Sequence, residues 1–277
     1  DKKTNINFID NHYGGVSTND IAACLGITNY TTTISTACSS AANAIMLGAR
    51  LIKNNFLDRV IVGGVDPLSK FTLNGFNSLM ILDTEWCKPF DDSRKGLNLG
   101  EGAAYLVLES EHIVQKKNKK VLAQLIGYGN ANDAFHQTAS SPEGHGALMA
   151  MQQAFKVANI EPQKINYINA HGTGTPNNDL SEGMAMQHLF NNNVPKFSST
   201  KAFTGHTLAA AAAIEAVISI LAIQNDVIFP CLHRRTQMKD LSIVPEDKFQ
   251  TNVEVNYVLS NSFGFGGNCS SLIFSKN

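Results

Sequence analysis

"TTTISTACSSAANAIMLGARLIKNN", residues 31–55, changes character at its eighth residue. A β-branched run ends in Thr36-Ala37, Cys38 follows, and after two serines small and apolar residues recur in helical rhythm. Residues 32–35 read as a short strand, because β-branched side chains suit a pleated surface. Residues 39–54 read as a helix that is apolar nearly all round, which predicts a central helix rather than a surface one. A cysteine therefore stands at the seam between a strand and a buried helix.

The same alternation continues outward. "RVIVGGV" (59–65) and "AAYLVLES" (103–110) read as strands, and "QKKNKK" (115–120) as a solvated surface linker. The pattern then restarts with "VLAQLIGYG" as strand, "GALMAMQQAFKVANI" as helix and "INYINAHG" as a strand entering a glycine loop. "DLSEGMAMQHLF" reads as helix, "KFSST" as a short strand and "GHTLAAAAAIEAVISILAIQND" as a second buried helix beginning at His206. "VEVNYVLSNSFGFGGN" runs as a strand into a glycine turn, and "SSLIFS" closes the chain. Strands alternating with helices predict an α/β layered fold. Both halves end alike: strand, Cys38 or His206, buried helix, two strands. This predicts an internal duplication, with an N-terminal half over 1–120 and a C-terminal half over 121–277. The second half spends residues 121–194 ahead of its matching strand and the first only 1–31, so the reading expects elements missing from the start.

The totals narrow the function. Lys and Arg number 22 and Asp and Glu 23, a net charge of −1 that gives no bulk attraction to nucleic acid or to a membrane surface. The apolar run 208–223 is interrupted by Glu215 and Ser219 and reads as too short and polar to span a bilayer. The opening residues do not read as a signal peptide. Five cysteines, an odd count without CxxC spacing, predict a reducing compartment, the cytoplasm, rather than a disulfide framework.

Four segments carry side chains capable of chemistry. Cys38 at a helix N-terminus is expected to have a lowered thiol pKa, although a small buried core cysteine is the plainer reading of it alone. In "NAHGTGTPNND" (169–179), His171 leaves an apolar strand into a Gly/Thr loop, where α/β folds place their sites. Thr173 and Thr175 offer hydroxyls, and the loop matches no phosphate-binding pattern. In "STKAFTGHTLAAAAAIEA" (199–216), His206 at a helix start is expected to stay neutral, with Lys201 in the preceding turn. In "SNSFGFGGN" (260–268), an N–H beside Phe265 is expected to face the Cys38 sulfur as half of an oxyanion hole. "PFDDSRKGLNLGEGAA" (89–104) reads alone as scaffold. One cysteine and two histidines form a nucleophile with polarising partners. Structural zinc needs four ligands, often in close pairs, and no pair here has that spacing. A cysteine hydrolase needs an orienting carboxylate and open water access, which two histidines and a phenylalanine fit poorly.

In this order, "TACSS", "PFDDSRKG…GEGAA", "NAHGTGTPNND", "STKAFTGHT" and "SNSFGFGGN" resemble the elongating, Cys-His-His type of β-ketoacyl-[acyl-carrier-protein] synthase. The resemblance covers residue 31 to the C-terminus. It implies a thiolase-like fold of duplicated αβαβα layers, with the N-terminal half missing its first strands and helices. It implies decarboxylative Claisen condensation, in fatty acid or related polyketide or polyene synthesis, of an acyl group on Cys38 with a malonyl thioester carried on acyl carrier protein phosphopantetheine. It further implies that His171 and His206 stabilise the enolate, that Lys201 supports them, and that the N–H groups of Cys38 and Phe265 hold the oxyanion. Phe265 with Phe76 would gate the acyl tunnel, and Thr173 and Thr175 would grip the pantetheine arm. Asp179, Glu182 and Glu215 would support the site from behind. No catalytic metal and no tightly bound cofactor are implied; Asn169, Glu215, Ser260 and Asn261 match a structural cation site of some members. A homodimer or related heterodimer is expected.

The same residues separate the chain from its cousins. Thiolases place a second cysteine before the last glycine turn, whereas Cys269 follows it; initiating synthases have Asn where His206 stands; chain-length factors lack the nucleophile. Ala209 and Ala212 replace family glycines, a departure fitting a polyene- or polyketide-type subfamily. Only 37 residues precede Cys38. The expectation is therefore a longer full protein. The alternative reading is an inactive or partner subunit, or a fragment, that needs another chain.

Overall fold

The computed structural model describes residues 13–277, which fall into two compact units, one ending at Ser35 and one running from Thr36 to Asn277. The first contains α1 (Val16–Cys24), with Ala22 buried and the Thr18 and Thr33 hydroxyls 2.7 Å apart. The strand expected at 32–35 is absent: these residues carry no ladder. Their β-branched side chains supply propensity, but a strand exists only against a neighbour's row of N–H and C=O groups.

The second unit opens with α2 (Ser40–Lys53), then β1 (Arg59–Asp66), α3 (Lys70–Ser78), β2 (Gly102–Glu109), α4 (Glu111–Lys116), β3 (Gln124–Asn132) and α5 (His145–Ala158). β4 (Tyr167–Asn169), α6 (Pro176–Leu189), β5 (Lys196–Ser198), α7 (Lys201–Thr204) and α8 (Ala211–Asn225) follow. β6 (Val227–Ile228), β7 (Gln250–Thr251), β8 (Tyr257–Gly264) and β9 (Asn268–Ser275) complete it. Five strands form one sheet in the order β3-β9-β8-β4-β5, antiparallel from β3 to β8 and parallel from β8 to β5. β1 and β2 pair antiparallel as a separate two-stranded sheet.

Layers follow from which faces are apolar. α5 and α6 cover one face of the five-stranded sheet through Ala150, Met151, Ala154, Ala185 and Met186. α2 and α8 lie on the other face and separate it from β1–β2, with Ile45, Ala212, Ala216 and Ile223 in a second core. The result is an α/β/α/β stack, four of the five αβαβα layers that the resemblance implies, with β8–β9 standing after α8 as β1–β2 stand after α2. Gly48 sets the spacing: a Cβ there would lie 2.6 Å from Val62 Cγ1, so only glycine lets α2 approach β1 this closely. α2 is buried on one side rather than all round, with Ala44, Leu47, Leu51 and Ile52 half-buried. Residues 208–225 are, by length and composition, long and apolar enough to cross a bilayer, contrary to the sequence reading. Here they form a 3-10 turn followed by the core helix α8, whose buried Glu215 meets Lys201.

Candidate active site

Three strand ends and one strained turn build the site. Ala37 has φ 52°, the left-handed region that costs an L-residue roughly 1–2 kcal/mol. The two serines hold that turn. Ser40 Oγ accepts the Thr36 N–H at 2.9 Å and donates to Ala37 O at 2.6 Å, while the single Ser39 hydroxyl proton is shared between Thr36 O at 2.7 Å and Asn268 Oδ1 at 2.8 Å. Cys38 is thereby presented just ahead of α2, 5% exposed, with the N–H groups of Phe265 and of Cys38 itself directed at its sulfur. The expected lowering of the thiol pKa does not hold. Burial pushes it up to about 11, outweighing the Lys201 charge and the two N–H groups. The thiol is therefore the resting form at neutral pH, and its reactivity follows the thiolate fraction. Alkylation of Cys38 by iodoacetamide is expected to rise about tenfold per pH unit from 7 to 9; a plateau below pH 8 would mean a lowered pKa instead.

β8 ends against this turn. A Cβ on Gly264 would lie 2.6 Å from Thr36 O and 3.2 Å from Cys38 N. Gly264→Ala is expected to push the Cys38 turn away, destabilising the protein by about 1–3 kcal/mol and slowing Cys38 alkylation at fixed pH. An unchanged melting temperature and alkylation rate would contradict this contact.

His171 follows the end of β4. Glu182 on α6 fixes it by accepting the His171 N–H at 2.9 Å and the Gly172 N–H at 2.8 Å, and it accepts a third hydrogen bond from Asn261 Nδ2 at 3.1 Å. Burial raises the Glu182 pKa to about 7 against these donors. Asp179 accepts the N–H groups of Phe90 at 2.7 Å and Gly174 at 3.1 Å, holding the loop open at Gly172 and Gly174, where φ is positive. Lys201, at the start of α7 after β5, pairs with buried Glu215 and lies 3.3 Å from His171 Nδ1. An ammonium only donates, so Nδ1 accepts and the proton of neutral His171 sits on Nε2.

His206 does not start a helix. It bridges to Leu99, donating its N–H to Asn98 O at 2.7 Å, and a 3-10 turn at Leu208–Ala210 separates it from α8. Its neutrality therefore has another cause. Burial first, then the Lys201 charge, hold the pKa of His206 and of His171 well below the usual imidazole range. The two rings meet edge to face, 5.3 Å between centroids.

Cys38, His171 and His206 line one cavity of about 340 Å³ with Thr173, Thr175, Phe76 and Phe265. Phe76 on α3 stacks on Phe265 at 5.9 Å, and the two threonine hydroxyls are 2.9 Å apart. Lys201 stands behind His171 rather than in the cavity wall. Sequence reading missed several lining residues: Met80, Lys95, Cys269 and the loop 136–140. That loop arrives because Gly266 N donates to Gln137 O at 2.7 Å and Asp133 N to Gly267 O at 2.8 Å, long-range bonds with no local sequence signal. "PFDDSRKG" is more than scaffold: Arg94 reaches Thr175 O and Pro176 O, and Lys95 lines the cavity. Of the four residues matched to a structural cation, three have side-chain partners within the protein. Asn261 Oδ1 accepts from Ser271, Glu215 meets Lys201, and the Asn169 amide donates to Glu215 O. Ser260 sits in the β8–β4 ladder beside Asn169. Among the described residues no group of three His, Cys, Asp or Glu is placed to hold a metal.

Comparison with known proteins adds a second, independent line. The model described as "Beta-ketoacyl synthase, N-terminal domain" matches residues 1–112 and "Beta-ketoacyl synthase, C-terminal domain" matches 122–235. The 3-oxoacyl-[acyl-carrier-protein] synthase 2 of Staphylococcus aureus (strain COL) is 39% identical over 251 residues, 87% of this chain. The chain spans 60% of that relative's length. A solved ketosynthase from Xenorhabdus doucetiae, in complex with its chain length factor, is 38% identical with a TM-score of 0.85, covering 94% of this chain and 63% of its own. A type II PKS ketosynthase bound to the hexaketide, in complex with its acyl-carrier protein, is 27% identical with a TM-score of 0.93, covering 99% and 69%.

Proposed function

The chain belongs to the β-ketoacyl synthase family, and from that premise we propose that Cys38 accepts an acyl group and condenses it with a malonyl unit carried on an acyl carrier protein. The observation that carries this reading is the convergence of Cys38, His171 and His206 on one cavity, with the Lys201–Glu215 pair behind His171. The chain is read as two halves, 1–120 bearing the nucleophile and 121–277 bearing His171, Lys201, His206 and the Phe265 gate. The break between the two family models, at 112–122, supports that division. The setting is the cytoplasm, in fatty acid or related polyketide or polyene synthesis.

In the first step the Cys38 sulfur attacks the carbonyl of an acyl-pantetheine thioester. The oxyanion is held by the N–H groups of Cys38 and Phe265, the carrier C–S bond breaks, and the thiol proton ends on the leaving pantetheine sulfur. Thr173 and Thr175 hydroxyls hold the arm, and the stacked Phe76 and Phe265 rings gate the acyl path. In the second step the malonyl thioester loses CO2. The electron pair of the broken C–C bond forms an enolate, whose oxygen receives hydrogen bonds from the imidazole N–H groups of His171 and His206. Neutral imidazoles suit this role, because they donate without adding two positive charges to a buried cavity. The enolate carbon attacks the acyl-Cys38 carbonyl, the C–S bond breaks, and Cys38 leaves as thiolate and takes up a proton. The net reaction consumes one proton and yields a 3-oxoacyl thioester, CO2 and free carrier thiol. Mixing the chain with acyl- and malonyl-carrier thioesters and following the 3-oxoacyl product by mass spectrometry tests this; CO2 release without carbon–carbon bond formation would leave Cys38 unused and defeat it.

A second reading, a chain that works only with another chain, is favoured by one observation. The outward side chains of β1–β2, Val65, Tyr105 and Val107, are exposed, Val107 to 59%. The chain length factor bound to the Xenorhabdus ketosynthase gives the kind of partner expected, a related subunit in a heterodimer, with a homodimer as the other arrangement. Condensation that appears only when such a subunit is added distinguishes this reading from the first.

A further inference from the structure

Asn268 is the first residue of β9, opposite Gly264 on β8 and Asn132 on β3. Its carboxamide oxygen is the meeting point of three donors from three parts of the fold. Ser39 Oγ lies 2.8 Å away, Asn43 Nδ2 2.9 Å and Asn130 Nδ2 2.9 Å. Two of these donors also touch the nucleophile turn itself. Ser39 Oγ lies 2.7 Å from Thr36 O, and Asn43 Nδ2 lies 2.9 Å from Thr36 Oγ1. Asn130 on β3 closes the network through Asn43 Oδ1 at 3.0 Å and Ser270 Oγ at 2.9 Å.

The same residue ends the other wall of the site. Between Gly264 and Asn268 the chain passes through Phe265 and two left-handed glycines, Gly266 at φ 83° and Gly267 at φ 81°. That turn carries the Phe265 N–H directed at the Cys38 sulfur. One side chain thus ties the strained turn bearing Cys38 to the strand that anchors the turn bearing Phe265. We infer that Asn268 is a positioning residue that fixes the separation of the Cys38 and Phe265 N–H groups, and so sets how well they hold a thioester oxyanion. This rests on the reading of Cys38 as acyl acceptor. The physical argument is geometric. Ala37 sits in a conformation that an L-residue leaves when released, and the Asn268 contacts oppose that release at Ser39 and Thr36. Oxyanion stabilisation depends on donors lying within about 2.7–3.1 Å of the developing charge, and misplacement by 1 Å costs roughly a hundredfold in rate.

The test separates positioning from mere folding by comparing two reactions of one sulfur. Acylation by an acyl-pantetheine thioester passes through an oxyanion; alkylation by iodoacetamide does not. Both scale with the thiolate fraction, so their ratio is insensitive to a change in the Cys38 pKa. Asn268→Ala is expected to lower the acylation-to-alkylation ratio at least tenfold, on the order set by losing one aligned oxyanion donor. All three contacts use Asn268 as acceptor, so Asn268→Asp keeps the acceptor and is expected to restore the ratio to within about threefold of wild type. Should the alanine variant fail to fold, Ser39→Ala, which removes one donor, is expected to lower the ratio in the same direction. A ratio within threefold of wild type in the folded alanine or Ser39 variant overturns the inference. Wild type that is alkylated at Cys38 but never acylated overturns the reading of Cys38 as acceptor instead.

Discussion

Alanine at position 38 is expected to abolish acyl-enzyme formation and lower condensation by at least about 10³-fold, while leaving the fold intact. In the proposed reaction the sulfur makes the bond that carries the acyl group, and no other group in the cavity is placed to substitute for it. Cys269 also lines the cavity, but it is held in the β9 ladder against Phe263 and Ala131, and burial raises its thiol pKa to about 12. The structural cost is small. Cys38 is a small buried side chain at a turn held by Ser39 and Ser40, so its truncation is expected to cost about 1 kcal/mol. A melting temperature within a few degrees of wild type, together with lost condensation, is the expected pair of results. Condensation at more than a tenth of the wild-type rate would contradict it.

The second large effect belongs to Lys201. Its ammonium is fully buried against the Glu215 carboxylate and donates to His171 Nδ1. Lys201→Met removes the only cation in contact with Glu215 among the described residues and leaves a buried carboxylate unpaired, a loss of about 3–5 kcal/mol. For a chain of this size that is a fall in melting temperature of roughly 10 °C. The pH dependence has a definite sign. Burial already raises the Glu215 pKa, and Lys201 pulls it down. Without Lys201 the folded-state pKa rises further, so the variant regains stability as pH falls through that value and loses it as pH rises. Lys201→Met combined with Glu215→Gln removes the stranded charge and is expected to recover most of the stability. It does not recover the histidines. Lys201 lowers the pKa of both His171 and His206, so the double variant titrates both imidazoles at higher pH, measurable by NMR. Condensation in it stays depressed and its acid limb moves to higher pH, because protonated imidazoles replace neutral ones. Unchanged imidazole titration would remove Lys201 from the account of the site.

Much of this architecture is legible in local pattern. "RVIVGGV" and "AAYLVLES" are strands because apolar β-branched runs bounded by turn residues have few alternatives, and they lie at Arg59–Asp66 and Gly102–Glu109. The helix at His145–Ala158 follows the 3.6-residue period, whereas the one at Pro176–Leu189 is marked by Pro at its first turn and buries Asp179 and Glu182 alongside Ala185 and Met186. Local pattern failed where the outcome depends on a distant partner. Residues 32–35 have strand propensity and no ladder. His206 precedes an alanine run that reads as helix, yet its backbone is bonded to residues 98–100 and the helix starts only at Ala211. The helix dipole and the unpaired N–H groups beside Cys38 predict a lowered thiol pKa, whereas burial outweighs them. The convergence of Ser39, Asn43 and Asn130 on Asn268 spans 229 positions and has no periodic signature.

The most direct test of the central claim is the position of the acyl group. The chain is incubated with an acyl-carrier thioester, digested, and its cysteine peptides weighed by mass spectrometry. The account predicts the acyl mass on the peptide containing Cys38, and none on those containing Cys24, Cys87, Cys231 or Cys269. An acyl group on any other cysteine, or none on Cys38 while the carrier thioester is consumed, would contradict it.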